Sequence, residues 1–366
     1  MNLRYAWTAA ALSACAVTGM LLAQAPPPPA PDERPDFGID VVNVQVPVSI
    51  RDRKGNFVNG LIPNDFELLD EGVRQKVQLD VTAHPISLVV AVQANATARQ
   101  ILPTVQKAGS MFGPLVAGET GEVAVIAFDH RVQHITPFTS NVDEIKKGFT
   151  SIKVGSTTHH LDDAAMEGVN MLRNRGKDRK KVLIIISETR DNGSAFSPRD
   201  VLTNAEFSNV EIYTVSMNHL LNQLTTKAEP NRPNPVPPEA RGQLPMGVIQ
   251  TGTTDAQTNM GNWTPIFKEI FTLVKGIFVP NSHEVYTKFT GGREQNFVTL
   301  SGLEEAIHNI GEEVHSQYLL TFTPPGDAKA GYHEITVRVL SAANLEIRTR
   351  PGYWIAPRQA DTDKKK

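Results

Sequence analysis

The sequence predicts an α/β fold: a doubly wound, mostly parallel sheet that is inserted into, or flanked by, a small β-sandwich-like domain made from both ends of the chain. The run at 182–186 is apolar on both faces, which is typical of a central parallel strand. Between 86 and 216, short apolar runs alternate with helix-like segments, as in a parallel sheet. At 39–82 and 318–350, short alternating segments predict half-buried strands.

The N-terminal β segment begins with an alternating strand at 39–50. Four valines share one face of it: Val42, Val44, Val46 and Val48. Pro47 lacks a backbone N–H, so this strand is predicted to lie at a sheet edge or to contain a bulge. Shorter strands are predicted at 57–58, 66–70 and 77–81, separated by glycine-containing turns at 52–56 and 71–72.

The middle of the chain alternates between strand and helix patterns. Strands are predicted at 86–92, 122–128, 132–138, 182–187 and 210–216. Helices are predicted at 97–112, 143–149, 161–173, 198–209, 263–277 and 303–317. The second and third of these strands form a hairpin-like pair, which adds an antiparallel strand to one edge of the sheet.

The C-terminal segment returns to strands, at 318–322, 333–340 and 345–350. Each terminal β segment is too small to be stable alone, so the two are predicted to pack together as one domain. The predicted organisation is a signal peptide at 1–25, a Pro-rich linker at 26–36, a β module at 37–83, an α/β domain at 84–316, a second β module at 317–357 and a charged tail at 358–366.

The N-terminus predicts export. A single basic residue, Arg4, precedes an apolar stretch at 5–22, and an Ala-x-Ala pattern follows at 23–25. The expected location is periplasmic or extracellular, with envelope anchoring left open. A lipoprotein signal is an alternative, because the residues before Cys15 have the pattern that precedes a lipidated cysteine. An uncleaved N-terminal anchor is a third interpretation.

Composition excludes several classes of function. Cys15 is the only cysteine, so signal removal leaves no disulfide, thiol nucleophile or cysteine metal site. A net charge of −3 with mixed signs argues against nucleic acid as a partner. No second long apolar run is present, so no membrane span is predicted after signal removal. The segment 221–262 is rich in Pro, Asn, Thr and Gly, and predicts an insertion that is either disordered or a functional flap.

Several motifs carry a resemblance to a known family. The stretch 181–194, KVLIIISETRDNGS, resembles a strand and its loop in a von Willebrand factor type A (VWFA) domain, which has a Rossmann-like fold. The segment 287–292, with Phe297-Val298 after it, resembles the last strand and turn of such a domain. SQYLLTFTP, GYHEITVRV and RTRPGYW resemble the tail of a group of exported acidobacterial VWFA-related proteins.

The resemblance implies a metal-ion-dependent adhesion site, in which hydroxyls and carboxylates from three loops hold Mg²⁺ and a partner's carboxylate completes the shell. The equivalent positions are Gln93, Asn95 and Thr97 in the first loop, Thr157 or Thr158 in the second, and Glu188 in the third. One anionic ligand is replaced by an amide and the other is a methylene longer. We therefore expect a degenerate site without metal or cofactor; if Mg²⁺ or Mn²⁺ binds, its ligands would be Asn95, Thr97 and Glu188.

A second group of potential ligands lies at 159–163. His159 and His160 precede Asp162 and Asp163, and imidazole and carboxylate groups can bind transition metals. Adjacent histidines at the start of a helix point in different directions. The favoured interpretation is a helix N-terminus whose acidic residues interact with the helix dipole.

The common signatures of hydrolases, metalloproteases, P-loop proteins and dinucleotide-binding enzymes are missing from the sequence. The main hypothesis is an exported, non-enzymatic binding or adhesion-type protein that contacts a protein or cell-envelope ligand. One alternative is a structural envelope subunit without a metal site. The other is an envelope hydrolase with an unrecognised carboxylate site, since a carboxylate pair cannot be seen in one sequence.

Overall fold

The computed structural model describes residues 43–80, 84–115, 121–217, 281–326, 328–341 and 344–355. The predicted signal peptide, linker, insertion at 221–262, helix at 263–277 and charged tail all lie outside these residues. Among the helices that are described, none is long and apolar enough to cross a membrane.

The described strands and helices are numbered in chain order. The strands are β1 (Val44–Arg51), β2 (Phe66–Asp70), β3 (Val73–Gln75), β4 (Gln78–Asp80), β5 (Ile86–Gln93), β6 (Glu122–Phe128), β7 (Val132–Thr139), β8 (Lys180–Ser187), β9 (Val210–Met217), β10 (Glu294–Phe297), β11 (Tyr318–Phe322), β12 (Gly331–Val339), β13 (Glu346–Thr349) and β14 (Gly352–Ile355). The helices are α1 (Leu102–Ala108), α2 (Phe112–Leu115), α3 (Val142–Ser151), α4 (Leu161–Arg173), α5 (Pro198–Phe207), α6 (Ser282–Thr290) and α7 (Leu300–Ser316). Short 3₁₀ turns flank α1 at Thr97–Gln100 and Gly109–Met111.

The large sheet has the strand order β10-β9-β8-β5-β6-β7. Among the strands that the structure describes, all neighbouring pairs of this sheet are parallel except β6 with β7, so the antiparallel strand lies at the edge. Helices α1, α2, α3 and α7 cover one face with apolar side chains, and α4, α5 and α6 cover the other. Because both faces are covered, every residue of β5 and β9 is buried. The predicted doubly wound sheet is thus confirmed.

Two four-stranded sheets form the β-sandwich. Their strand orders are β13-β1-β11-β4 and β14-β12-β2-β3, so each combines strands from both ends of the chain. Inward-facing side chains of the two sheets share one apolar core, in which Phe66 packs on Tyr318 and Phe322 packs on Tyr353 at ring-centroid distances of 5.2 and 5.5 Å. The prediction that the terminal segments form one sandwich-like domain is confirmed, because neither segment can complete a sheet alone.

The predicted edge position of the first strand is wrong. β1 is an interior strand, paired with β11 on one side and β13 on the other. Pro47 faces Leu319 of β11, but the β13 pairing begins only at Val48. The proline therefore lies just beyond the end of one ladder, where a missing N–H removes no inter-strand hydrogen bond.

The predicted strand at 287–292 is also wrong, because this segment is the end of helix α6 and the Gly291-Gly292 turn after it. Asn281 caps the helix by accepting a hydrogen bond from the backbone of His283. The hydroxyls of Thr287 and Thr290 donate to carbonyls one turn earlier, which accommodates these β-branched residues in a helix. The helix ends at Gly291, whose φ of +88° favours glycine. The last strand is β10, parallel to β9.

Smaller differences affect the sandwich. Strands β3 and β14 are present although neither was predicted, and 57–58 forms a single bridge from Phe57 to Arg51 rather than a strand. Both unpredicted strands lie at sheet edges and contain three or four residues. Segments of three or four residues are too short to show an alternation of apolar and polar residues in the sequence.

Buried charges join the sandwich to the α/β domain. The carboxylate of Glu313 on α7 is within 3.4 Å of Arg51 on β1 and 3.2 Å of Arg293, and it also contacts Arg348 on β13. The hydroxyl of Tyr213 of β9 lies 3.2 Å from the same carboxylate and 2.9 Å from that of Glu211. We call Glu313, Arg51, Arg293 and Arg348 the arginine cluster. Its members come from both domains, so it fixes one to the other.

Candidate functional site

Three loops meet at the carboxyl ends of the parallel strands. The first follows β5, the second connects α3 to α4, and the third follows β8. Backbone hydrogen bonds hold the first two together, from Ala96 to the carbonyl of Ser156 at 2.7 Å and from Gly155 to that of Ala94 at 2.6 Å. The second and third are joined from Asn192 to the carbonyl of His159 at 3.2 Å. Because β5 and β8 are neighbours at the switch of strand order, this end of the sheet is where α/β proteins bind ligands.

At the centre of these loops is a buried amide, that of Gln93. Its Oε1 accepts a hydrogen bond from the backbone N–H of Glu188 at 2.7 Å, which fixes the orientation of the amide. Its Nε2 therefore faces Asn95 Oδ1 at 2.8 Å and Thr97 Oγ1 at 3.3 Å, and donates to both. The amide nitrogen is therefore hydrogen-bonded to the oxygens of Asn95 and Thr97. In the adhesion site that the resemblance implies, these two oxygens would be ligands of the cation.

The second loop contributes a histidine to the same group. Asn95 Nδ2 lies 3.2 Å from His159 Nδ1, and since an amide nitrogen can only donate, the ring nitrogen accepts. The hydrogen of the ring is then on Nε2, which donates to the carbonyl of Arg190 at 2.6 Å. His159 Nε2 is also 3.9 Å from a carboxylate oxygen of Glu188. We call Gln93, Asn95, Thr97, His159 and Glu188 the loop cluster.

The structure brings the candidates of the first and third loops together, because Gln93, Asn95, Thr97 and Glu188 all belong to the loop cluster. The two threonines of the second loop differ from the expectation. Thr157 contributes its backbone carbonyl, which accepts from Asn95 Nδ2 at 3.3 Å, and its side chain is exposed. Thr158 is half-buried, and its carbonyl accepts from the hydroxyl of Ser156.

His159 was the residue that sequence reasoning did not assign to this group, although its position directly after the two threonines was visible. His159 and His160 contact different groups, because His160 Nδ1 lies 3.4 Å from Asp163 on the first turn of α4. Among the residues that the structure describes, no three or more His, Cys, Asp or Glu side chains are arranged to hold a metal ion.

Carboxylates near the loops are used to cap backbone groups. Asp191 accepts from the backbone N–H of Leu161 at 2.7 Å, at the start of α4, and from those of Gly193 and Ser194. Asp163 accepts from two backbone N–H groups of the third loop. Hydrogen bonding to Ser194 and to backbone groups outweighs burial and keeps the pKa of Asp191 below its ordinary value. Asp191 thus caps the start of α4, whereas Asp163 caps the third loop rather than its own helix.

Asp162 differs from these capping acids because it is buried against helix α6. Its carboxyl accepts a hydrogen bond from the hydroxyl of Tyr286 at 2.5 Å. Burial raises the pKa of Asp162 from 3.8 to about 7, and the nearby charges of Asp191 and Asp163 act in the same direction. The carboxyl is therefore partly protonated near neutral pH.

Replacing Asp162 with asparagine is expected to stabilise the protein above pH 7 by about 1–3 kcal/mol, since each unit of pKa shift corresponds to about 1.4 kcal/mol. The folded protein holds this proton more tightly than the unfolded chain, so native stability decreases as pH rises from about 4 to about 7 and stays lower above that. Asparagine keeps an acceptor for Tyr286 and removes the charge. Urea denaturation of both proteins at about pH 5 and about pH 8 measures this; an equal difference at both pH values would contradict it.

A buried chain of polar side chains lies beside the loop cluster, under β8 and β9. Ser216 donates to Glu294 at 2.5 Å, so its oxygen must accept from His283 Nδ1 at 2.8 Å. Burial lowers the pKa of His283, which favours the neutral ring. Nε2 lies 2.7 Å from the hydroxyl of Ser187, which also donates to the backbone carbonyl of Glu188 at 2.8 Å. The sequence of groups partly resembles a serine–histidine–acid relay, but Ser216 lies between the histidine and the acid, and the side chains of Ser187 and His283 are 0% exposed.

The surface around the three loops is basic. Arg190 is exposed on the third loop and Arg99 in the turn before α1, and His130 and Arg131 are exposed in the β6–β7 turn, which contacts the second loop through His130 and Ser156. Asp129 and Glu188 are buried, and Asp191 is half-buried and capped, so these fully described loops present no exposed carboxylate. Positive charge therefore dominates the surface directly outside the loop cluster.

The fold and the loops define a class of protein: a doubly wound α/β domain with a polar loop cluster at the carboxyl ends of its strands, set into a β-sandwich.

No family model matches the chain, and no curated protein matches it. Among solved structures, an aerotolerance-related membrane protein from Bacteroides fragilis is 11% identical with a TM-score of 0.39, over 62% of this chain and 98% of its own. The conserved hypothetical protein BatB from Bacteroides thetaiotaomicron is 10% identical with a TM-score of 0.39, over 62% and 99%. The SpRpn10 VWA domain is 7% identical with a TM-score of 0.31, over 38% and 78%. Likenesses of this size transfer no function.

Proposed function

We propose that this chain is an exported, non-enzymatic binding protein that contacts a protein or cell-envelope ligand through the loop end of its α/β domain, without a bound cation. The observation that carries the proposal is the amide of Gln93, whose nitrogen donates to the oxygens of Asn95 and Thr97. A cation at this point would meet the N–H hydrogens of the amide rather than free lone pairs. The hydrogen bonds of the Gln93 amide support a loop cluster that holds the loops in one conformation without metal.

The chemistry of the surface supports a ligand with acidic groups. In a metal-dependent adhesion site, a cation attracts the partner's carboxylate. Here the exposed guanidinium groups of Arg131 and Arg190 supply positive charge at the same end of the sheet, while the neighbouring carboxylates are buried. A guanidinium binds carboxylate or phosphate by two parallel hydrogen bonds, which gives direction as well as charge. An acidic protein surface or an anionic envelope polymer fits this requirement.

One observation favours the enzyme alternative, namely the order of hydrogen bonds from Ser187 through His283 to Ser216 and Glu294. A nucleophile must reach its substrate, and the complete burial of Ser187 and His283 supports a structural role for this relay instead. A structural envelope subunit remains the second alternative, and it differs from our proposal in predicting no role for the exposed arginines.

The double replacement Arg131→Glu and Arg190→Glu is expected to weaken binding to isolated cell envelopes about tenfold or more, which corresponds to about 1.4 kcal/mol. Charge reversal replaces attraction with repulsion at the surface of contact. Co-sedimentation with envelopes from the producing cells, over a series of protein concentrations, measures the affinity. Binding by the native protein should be unchanged in EDTA and should weaken as salt is added.

A matched control changes the same charge elsewhere. Arg53 and Lys54 are exposed in the turn after β1, within the sandwich, so Arg53→Glu with Lys54→Glu should leave the affinity unchanged. Loss of binding in EDTA would contradict the cation-free proposal. Equal losses in the two double variants would contradict the assignment of the loop end.

A further inference from the structure

A cavity of about 180 Å³ lies at the opposite end of the large sheet from the loop cluster. Its walls include the first residues of β5, β8 and β9 on one side, and Gln45, Pro47 and Leu319 of the sandwich on the other. We call it the junction cavity. Since a cavity needs about 15 Å³ to hold one water, it has room for a molecule of several non-hydrogen atoms.

Most charged residues of the junction cavity already have partners. His84 contacts Asp80 at 2.7 Å and the carbonyl of Asp178 at 2.8 Å. Lys180 donates to the carbonyl of Val314 at the end of α7. Glu211 accepts from Tyr213 at 2.9 Å and from Gln317 at 2.5 Å. His84 thus links Asp80 of the sandwich to the α/β domain, and the other two groups are bonded within the α/β domain.

Two residues of the cavity wall are different. Arg350, just after β13, is 5% exposed, and its Nε has no hydrogen-bond partner among the described residues. Glu206, near the end of α5, has a buried Oε2 that likewise has none in that part of the chain. Arg350 acts on Glu206 electrostatically, lowering a pKa that burial raises to about 8. The two groups act on each other's charge, yet Arg350 Nε and Glu206 Oε2 each lack a hydrogen bond within the described residues. A buried polar atom without one is costly, so a ligand that accepts from the first and donates to the second would stabilise both.

We propose that the junction cavity binds a small zwitterion of the α-amino acid type, with its carboxylate on Arg350 and its ammonium group on Glu206. A guanidinium forms two parallel hydrogen bonds with a carboxylate, and a carboxylate accepts from an ammonium group. One molecule that carries both groups satisfies both unpartnered atoms and adds no net charge to a buried space. A simple anion would satisfy Arg350 alone, and it would lie beside Glu206.

The proposal concerns a site separate from the loop end, so it can fail or succeed independently of the proposed function. Purified protein is titrated with glycine and with L-alanine by calorimetry, and thermal unfolding is followed in the same solutions. Acetate and methylammonium, each with one of the two charges, are the matched probes. Glycine or alanine should bind, and above the dissociation constant each tenfold increase in its concentration should raise the unfolding midpoint by roughly 2–4 °C. Acetate and methylammonium should produce neither effect.

Variants assign the binding to the two residues. Glu206→Gln keeps the size of the side chain and should weaken glycine binding at least tenfold, and Arg350→Met should abolish it. Because a buried arginine can be needed for folding, the outcome is judged on Glu206→Gln. Lys177→Gln, at the exposed rim of the cavity, is the control and should bind as the native protein does. Absence of binding by both amino acids, equal binding of acetate, or unchanged affinity in Glu206→Gln would each overturn the proposal.

Discussion

Replacement of Glu313 by glutamine is expected to lower the free energy of unfolding by about 3–5 kcal/mol, the range found when one partner of a buried ion pair is removed. Glu313 is 1% exposed and is the common counter-charge of the arginine cluster. Glutamine has nearly the same shape, so packing is kept while the negative charge is lost. Three guanidinium groups then face one another, and the ion pair that remains among the described residues is that of Arg293 with the exposed Glu346 at 3.5 Å.

The surroundings of Glu313 make relaxation difficult. Arg51 and Arg348 belong to the sandwich, and Arg293 and Glu313 belong to the α/β domain, so separating the cations would separate the domains. Burial already lowers the pKa of Arg348 to about 10, which shows how poorly its charge is solvated there. Glu211 is a buried acid whose charge also acts on Arg348, and its carboxylate is engaged by Tyr213 and Gln317.

Urea denaturation of the native and Glu313→Gln proteins measures the loss. Glu312→Gln is the matched control, because Glu312 is the preceding residue on α7, its side chain is 53% exposed, and its contact is an exposed pair with His308 at 3.2 Å. Exposed pairs contribute little, so the control should change stability by less than about 0.5 kcal/mol. Equal effects of the two replacements would show that the arginine cluster does not depend on its central carboxylate.

The elements that were predicted most accurately are those with strong local patterns. The predicted helix at 161–173 and strands at 122–128, 66–70 and 318–322 have the bounds found in the structure. Their apolar residues form patterns that extend over several residues, and the flanking turns are rich in polar residues or glycine. The strand at 287–292 was assigned by resemblance alone and was wrong, because in α6 the threonine hydroxyls bond to the helix backbone and the last strand, β10, begins only at Glu294.

Contacts between distant segments could not be predicted in the same way. Nothing in the sequence around Arg51, Arg293 and Arg348 indicates that they share Glu313, since the pairing depends on how the two domains dock. The loop cluster is an intermediate case. Gln93, Asn95 and Glu188 could be proposed by resemblance, but the hydrogen bond from the backbone of Glu188 that orients the Gln93 amide is a property of the folded loops.

The loop cluster should regain cation binding when its substituted residues are restored. The triple variant Gln93→Asp, Asn95→Ser and Glu188→Asp removes the amide nitrogen from the centre of the cluster and places two carboxylates and two hydroxyls around the same space. Oxygen ligands of this kind are those that Mg²⁺ and Mn²⁺ prefer. We expect the variant to bind with a dissociation constant of about 10⁻⁴–10⁻³ M, the range of weak divalent sites outside cells, and the native protein to show no heat of binding.

The comparison is made by calorimetric titration of both proteins with Mg²⁺ and with Mn²⁺. In the triple variant, two carboxylates repel each other until the cation binds, so Mg²⁺ should also raise its unfolding temperature and leave that of the native protein unchanged. Binding by the native protein in the same range would mean that the Gln93 amide is displaced by a cation, and the cation-free proposal would be wrong. Binding by neither protein would mean that the three loops do not have the geometry of an adhesion site.

Two further replacements in the triple variant decide which threonine completes the shell. Thr157 is exposed and Thr158 is half-buried, and neither hydroxyl is required by the loop cluster as it stands. Valine has nearly the shape of threonine and lacks the hydroxyl. At the position whose hydroxyl is the ligand, Thr157→Val or Thr158→Val should weaken Mg²⁺ binding about tenfold, a cost of about 1.4 kcal/mol. The other replacement is its matched control. Equal affinities in both would show that neither threonine hydroxyl completes the coordination shell, and the assignment of the second loop to the cation site would be wrong.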